Sequence, residues 1–189
     1  MTVIMATAGI DLSLGAAAAL VAGMMARCPE GAPFWYTALP LGLVCGLTLG
    51  LANGALVGFC DIPPIIATLG SMMLLRGLCL VVMGDREWAT FSGVPGFERI
   101  GDPWSVALEV GLLYGLGGLW LVRSRWWQEI RLLGANRVAA RYAGIPVDRR
   151  LLEVYALAGL LVFAAAALYA ARNGSVSASA LTGAPAAPA

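Results

Sequence analysis

Neither histidine nor lysine occurs in this chain of 189 residues, and only 12% of its residues are charged, against roughly 25% in soluble domains. These absences exclude His-based triads, HExxH metal sites, Schiff-base chemistry and the phosphate-gripping lysine of a P-loop. If ATP drives the protein, another chain must bind it. Cys28, Cys45, Cys60 and Cys79 show no CxxC spacing, so neither a metal site nor a disulfide is expected. No basic segment precedes the first apolar run, since the first basic residue is Arg27. That run therefore reads as a span rather than a secretory leader. A net charge of +1 without a basic run argues against nucleic acid, whose phosphates demand a clustered positive surface. No catalytic residue, bound cofactor or metal ligand is expected on this chain.

What is present is apolar surface: 60% of the residues are hydrophobic and the mean hydropathy is +0.82. Apolar windows at 3–26, 34–59, 65–83, 104–122 and 151–171 contain only Asp11, Arg76, Glu109 and Glu153 as charged residues. Each is long enough to cross a hydrocarbon layer of roughly 30 Å as a helix, where the backbone must satisfy itself. The expected fold is an all-α polytopic transmembrane bundle of about five spans, filling residues 1–172. The stretch 123–150 carries seven arginines against Glu129 and Asp148, which makes it a cytoplasmic loop. Counting back, 84–103 falls outside, the turn at Asp61 inside, and Met1 on the cytoplasmic side. Trp35, Trp104, Trp120, Trp126, Trp127 and Tyr155 lie near window ends and read as interfacial anchors. Residues 173–189, ending in an Ala/Pro tail, are expected to be disordered.

Gly42, Gly46, Gly50, Gly54 and Gly58 recur at every fourth residue of the second window. Small-xxx-small spacing lets helices approach closely in lipid. The stripe suits either tight static packing or faces that slide in a transport cycle. Gly111 and Gly115 repeat the device in the fourth window. Asn53 lies on the glycine-bearing helix, and its amide must bond a neighbouring helix or face a wet path.

The first window is interrupted by Gly9-Ile10-Asp11-Leu12-Ser13-Leu14-Gly15. A carboxylate is costly at that depth in a straight helix. A break at Gly9 would let Asp11 or Ser13 cap a new half-helix, whose end could also meet a polar substrate. Ile62-Pro63-Pro64 supplies a stop and restart, compatible with a short turn or a re-entrant segment. Thr68 and Ser71 follow, with hydroxyls for their own backbone or for a passing sugar. Asp11, Ser13, Asn53, Thr68 and Ser71 are the candidate translocation-path residues.

In the basic loop, Asn136 is placed to cap a short helix from Arg137 to Ala143, Gly144 to close it in the left-handed conformation, and Pro146 to prevent its return. Val138 and Tyr142 share one face at i and i+4, and Arg137 and Arg141 an adjacent one. Ala139 and Ala140 complete the helix. An apolar knob with a basic flank suits a groove on a cytoplasmic partner; a solvated loop that merely sets topology is the other reading.

These elements together resemble the permease subunits of bacterial ABC importers of the ribose and xylose class. Gly-Ile-Asp-Leu-Ser-Leu-Gly at 9–15 looks like that family's GIDLS(V)G element, and Gly-Leu-Ala-Asn-Gly-Ala-Leu-Val at 50–57 like its GLxNGxLV segment. Ile-Pro-Pro-Ile-Ile-Ala-Thr-Leu-Gly at 62–70, with Arg76-Gly77 beyond, is similar to its IPPFIATLG and RG stretch. Leu133-Gly134-Ala135-Asn136, Ala139-Ala140 and Gly144-Ile145 look like its cytoplasmic GGNxxAAxxxGI pattern. The resemblance implies a multi-pass permease in the bacterial inner membrane that imports a monosaccharide. It implies a second permease subunit, identical or related, an extracytoplasmic sugar-binding protein, and a cytoplasmic ABC ATPase carrying ATP and Mg. The helix at Arg137 then becomes the ATPase docking element. Family members are usually longer, so the alternative is a truncated, non-transporting remnant or structural membrane protein of the same family.

Overall fold

The computed structural model describes residues 1–27, 34–83, 88–90 and 97–177. Helices α1 (Thr2–Met5), α2 (Leu14–Ala26), α3 (Phe34–Gly58) and α4 (Pro64–Met83) are followed by a short strand, β1 (Trp88–Thr90), and one helical turn, α5 (Phe97–Ile100). Then come α6 (Pro103–Arg123), α7 (Arg125–Ala135), α8 (Arg137–Tyr142), α9 (Val147–Asn173) and a strand, β2 (Ser175–Ser177). The fold is an all-α membrane bundle, as expected, with one antiparallel two-stranded ribbon, β1 against β2, closing one end.

Among the described residues, four helices, α3, α4, α6 and α9, are long and apolar enough to cross a membrane. The expected fifth span is not continuous. Residues 6–13 belong to no helix, and α2 has only 13 residues, about 20 Å at 1.5 Å per residue. The polar residues of the 9–15 motif cause the interruption. The segment 59–63 is a short turn between α3 and α4, with Asp61 in the left-handed region at φ 54°. Pro64 opens α4 and Pro103 opens α6, where a missing backbone N–H costs nothing. Gly174, at φ 63°, ends α9.

The five-glycine stripe explains the core. A Cβ on Gly46 would stand 2.7 Å from the Gly159 carbonyl oxygen, on Gly54 3.0 Å from the Leu152 Cα, and on Gly58 2.8 Å from the Asp148 carbonyl. On Gly50 it would collide with the Tyr155 carbonyl, and on Gly42 it would meet Met25 at 2.8 Å and Phe163 at 3.1 Å. The stripe thus seats α9 against α3, main chain to main chain. Gly111 and Gly115 behave otherwise: nothing lies within 4 Å of either, and α6 has no buried residue among those described. Their spacing matched a packing motif without a described neighbour to pack on.

Two further expectations change. The basic stretch 123–150 is not a loop with one helix in it, because α7 fills its first half. Ser124 caps α7 by accepting the Trp127 amide at 3.1 Å, and Ile130 and Leu133 are buried. The stretch expected to be disordered from 173 is ordered at its start: Asn173 is helical and Ser175–Ser177 pairs with Trp88–Thr90, since the Ser-Val-Ser alternation there favours an extended strand. Residues 178–189 lie outside the described residues.

Candidate functional site

The site grows out of the interrupted first span. After α1 the chain turns at Ala8, held at φ 57°, and Gly9 then passes close under Pro64, where a Cβ would stand 3.5 Å from the proline Cβ. Residues 9–13 run without regular structure into α2. Asp11 Oδ1 accepts the Ser13 amide at 2.8 Å and the Ser13 hydroxyl at 2.6 Å. Ser13 is the residue before α2, but its side chain caps no first-turn amide. Asp11 instead fixes the conformation of that residue, so the two act as a rigid pair ahead of the helix, not as the simple cap expected.

Asn53 reaches this pair from α3. Its Nδ2 donates to Ser13 Oγ at 2.9 Å, and its Oδ1 accepts the Ser71 hydroxyl from α4 at 2.5 Å. Thr68, one turn before Ser71, accepts the Leu12 amide and donates to the Ile10 carbonyl, both at 3.3 Å. All five residues singled out from the sequence therefore meet at one place. Ser71, Asn53, Ser13 and Asp11 form a chain in which every side-chain donor points toward the carboxylate. Asp11, Ser13, Asn53 and Thr68 are buried in a largely apolar interior that also takes in Thr7 and Tyr155. The cavity beside this seam measures ≈ 10 Å³, room for about one water.

One participant was missed. Tyr155 reads from its position as an interfacial anchor, yet it is buried on α9 and lines the same cavity as Asp11, Ser13 and Asn53. Hydropathy locates a tyrosine along a span but not the direction its ring takes.

The opposite feature lies at the end of the bundle where the 59–63 turn meets the 123–150 stretch. Asn136 Oδ1 accepts the Val138 and Ala139 amides, each at 3.0 Å, as the start of α8. Gly144 adopts φ 79° after it. Ala140 is buried, while Val138 and Tyr142 are exposed side by side. The arginines do not form a free basic flank. Arg137 lies 3.9 Å from Asp61 and Arg141 2.8 Å from Asp148, so they fasten α8 to the turn and to α9. The Asp148 hydrogen bond and charge hold the Arg141 guanidinium above its ordinary range. A second network ties α7 to α9: Arg150 bonds Glu129 at 2.6 Å and Glu153 at 2.7 Å, and Trp126 Nε1 donates to Glu153 at 2.8 Å. Gly134, at the end of α7, presses on the Ala6 carbonyl. The interrupted segment thus rests directly on the helix preceding α8.

A multi-pass helical membrane protein with a broken span folded around a buried polar seam is the class this architecture defines. The family model described as "Branched-chain amino acid transport system / permease component" matches residues 1–187, and the chain belongs to that family. Among curated relatives, the Autoinducer 2 import system permease protein LsrD of Enterobacter sp. (strain 638) is 32% identical over 187 residues, covering 93% of this chain and 56% of the relative. The Fructose import permease protein FruF of Bifidobacterium longum (strain NCC 2705) is 34% identical over 180 residues, covering 90% of this chain and 49% of the relative. LsrD of Klebsiella pneumoniae is 34% identical over 195 residues, covering 93% and 55%. The chain spans about half the length of these relatives. No solved structure matches it.

Proposed function

We propose that this chain is a membrane permease subunit of an ATP-driven monosaccharide importer in the bacterial inner membrane. The observation that carries this reading is the hydrogen-bonded seam that runs from half-buried Ser71 through buried Asn53 and Ser13 to Asp11, at a broken span. Sugar hydroxyls both donate and accept, and a seam of hydroxyl, amide and carboxylate groups offers them complementary partners once the helices part. The family membership supports a permease role, and the relatives named for autoinducer 2 and fructose import support this substrate class.

In this reading the exposed Val138 and Tyr142 knob on α8 enters a groove of a cytoplasmic ABC ATPase, which holds ATP and Mg. A second permease subunit, the same or related, completes the path, and an extracytoplasmic binding protein delivers the sugar. This chain supplies no catalytic residue of its own. ATP-driven closure of the ATPases changes which state of the bundle is favoured, and only a difference in affinity between states moves the equilibrium.

The test is ATP hydrolysis by the complete complex reconstituted in proteoliposomes, with and without sugar-loaded binding protein. Wild type is expected to show stimulated hydrolysis. Asn53→Leu is expected to retain the ATPase on the membrane while losing the stimulation, since leucine cuts the seam in its middle. Stimulation preserved in Asn53→Leu would remove the seam from the path. Absence of stimulation in the wild-type complex would favour a non-transporting member of the family.

A further inference from the structure

An open groove of ≈ 480 Å³ runs between the start of the chain and α7, a volume in the range of small-ligand sites. Met5, Ala6 and Ala8 line one side of it, and Trp127, Arg131 and Ala135 the other. The last three recur at i, i+4 and i+8, so they share one face of α7, while Ile130 and Leu133 bury another. Apart from Arg131 and Thr2, every side chain on the groove is apolar.

Charge around the groove is unevenly matched. Arg137, Arg141, Arg149 and Arg150 each pair with a carboxylate. Glu129, the acidic residue of α7, is taken by Arg150 of α9. Arg123, Arg125 and Arg131 pair with no carboxylate among the described residues, and Arg131 is exposed. The groove also sits at a defined level. Helix α6, long enough to span a membrane, ends at Arg123, and α7 starts two residues later. The Trp120 and Trp126 rings, 5.9 Å apart, join the two helices across that break. Trp127 therefore lies where a span leaves the hydrocarbon, the layer that favours indole rings.

We propose that this groove binds one anionic phospholipid. Its phosphate meets Arg131, and its glycerol and first methylenes lie along Met5 and Trp127. Exposed Met5 and Leu132 beside unpaired arginines are poorly served by water, whereas a phospholipid matches both at once, as in other basic pockets between helices at a membrane surface. Arg123 and Arg125 add to the attraction. Ala6, on the groove, is also the residue whose carbonyl Gly134 presses on. A lipid seated here thus braces α7 against the segment that leads to Asp11 and Ser13. The site depends on membrane embedding and not on any transported substrate.

Native mass spectrometry of the full chain in detergent, titrated with phosphatidylglycerol and in parallel with phosphatidylcholine of the same acyl chains, gives an affinity for each. Phosphatidylglycerol is expected to bind more tightly. Arg131→Gln is expected to weaken it about fivefold, the share of one basic residue, and Arg131→Lys to retain it. Ala135→Phe keeps every charge but fills the groove, and is expected to weaken phosphatidylglycerol as well. Arg172→Gln, at the far end of α9, is expected to change nothing. Equal affinity for the two lipids overturns the proposal, as does an Arg172→Gln loss equal to that of Arg131→Gln, which would mean unspecific charge attraction. Undiminished binding in Ala135→Phe removes the groove from the site. Displacement of the lipid by excess glycerol phosphate would mark a site for soluble phosphate instead and overturn the lipid assignment.

Discussion

The α3–α9 contact makes a quantitative claim that two alanine substitutions test against each other. At Gly50 an added methyl runs into the Tyr155 carbonyl and the Gly159 main chain, and a backbone atom cannot rotate aside as a side-chain terminus can. Overpacking of this kind costs typically about 1–3 kcal/mol, and a main-chain obstruction belongs at the upper end of that range. Replacing glycine in a helix interior returns about 1 kcal/mol of propensity. The net expectation for Gly50→Ala is a loss of about 2 kcal/mol, or a melting temperature about 4–8 °C lower for a chain of this size. At Gly115 nothing lies within 4 Å, so only the propensity gain of about 1 kcal/mol remains, and Gly115→Ala is expected to melt about 2–4 °C higher. Thermal unfolding in one detergent, followed by fluorescence-detected size exclusion, measures both. Shifts of the same sign in the two variants would refute the assignment of the stripe to α9.

Three shorter predictions concern the broken span and α8. Ala8 occupies the left-handed region, which costs an L-residue about 1–2 kcal/mol; Ala8→Gly is expected to raise the melting temperature by a few degrees, and Ala8→Val to lower it. Asn136→Ala removes the cap of α8, worth about 1 kcal/mol, so hydrogen exchange at the Val138 and Ala139 amides is expected to quicken about fivefold, with α9 unchanged. Arg141 is held above its ordinary range by Asp148, and a base whose folded value is raised contributes its stability below the unfolded value, losing it only as pH rises through the folded one. Exchange protection of α8 is therefore expected to stay constant from neutral to mildly alkaline pH after correction for intrinsic exchange; a fall over that window would show that the pair does not hold the helix.

Much of the site was legible because its signals are local or strictly periodic. The four-residue glycine period survives any tertiary context, and it points to a helix pressed on main chain. The 9–15 motif places a carboxylate and hydroxyl where a continuous apolar helix would bear them at high cost, so an interruption follows from solvation alone. The Asn136 cap, Gly144 and Pro146 delimit α8 within one residue of its observed end. What escaped depends on neighbours. α7 hides in a stretch whose charges read as loop, although Ser124 and the buried Ile130 and Leu133 mark an amphipathic helix. Arg137 and Arg141 read as a free basic face because Asp61 and Asp148 come to them only through the fold. Gly111 and Gly115 carry the packing pattern without a described neighbour, and Tyr155 turned inward where its position near a span end suggested an anchor. A residue's spacing fixes which face it occupies; what that face meets is decided by elements far away in sequence.

The central claim is that the seam at Ser71, Asn53, Ser13 and Asp11 lies on a path opened alternately to the two sides of the membrane. Labelling of a single cysteine at Ser71→Cys tests it most directly, in a background with the four native cysteines replaced by alanine and with the permease assembled on its ATPase. The account predicts reaction with a membrane-impermeant maleimide from one side in the nucleotide-free complex and from the opposite side in the vanadate-trapped one. A cysteine at that position that stays unreactive from both sides in both states would contradict it.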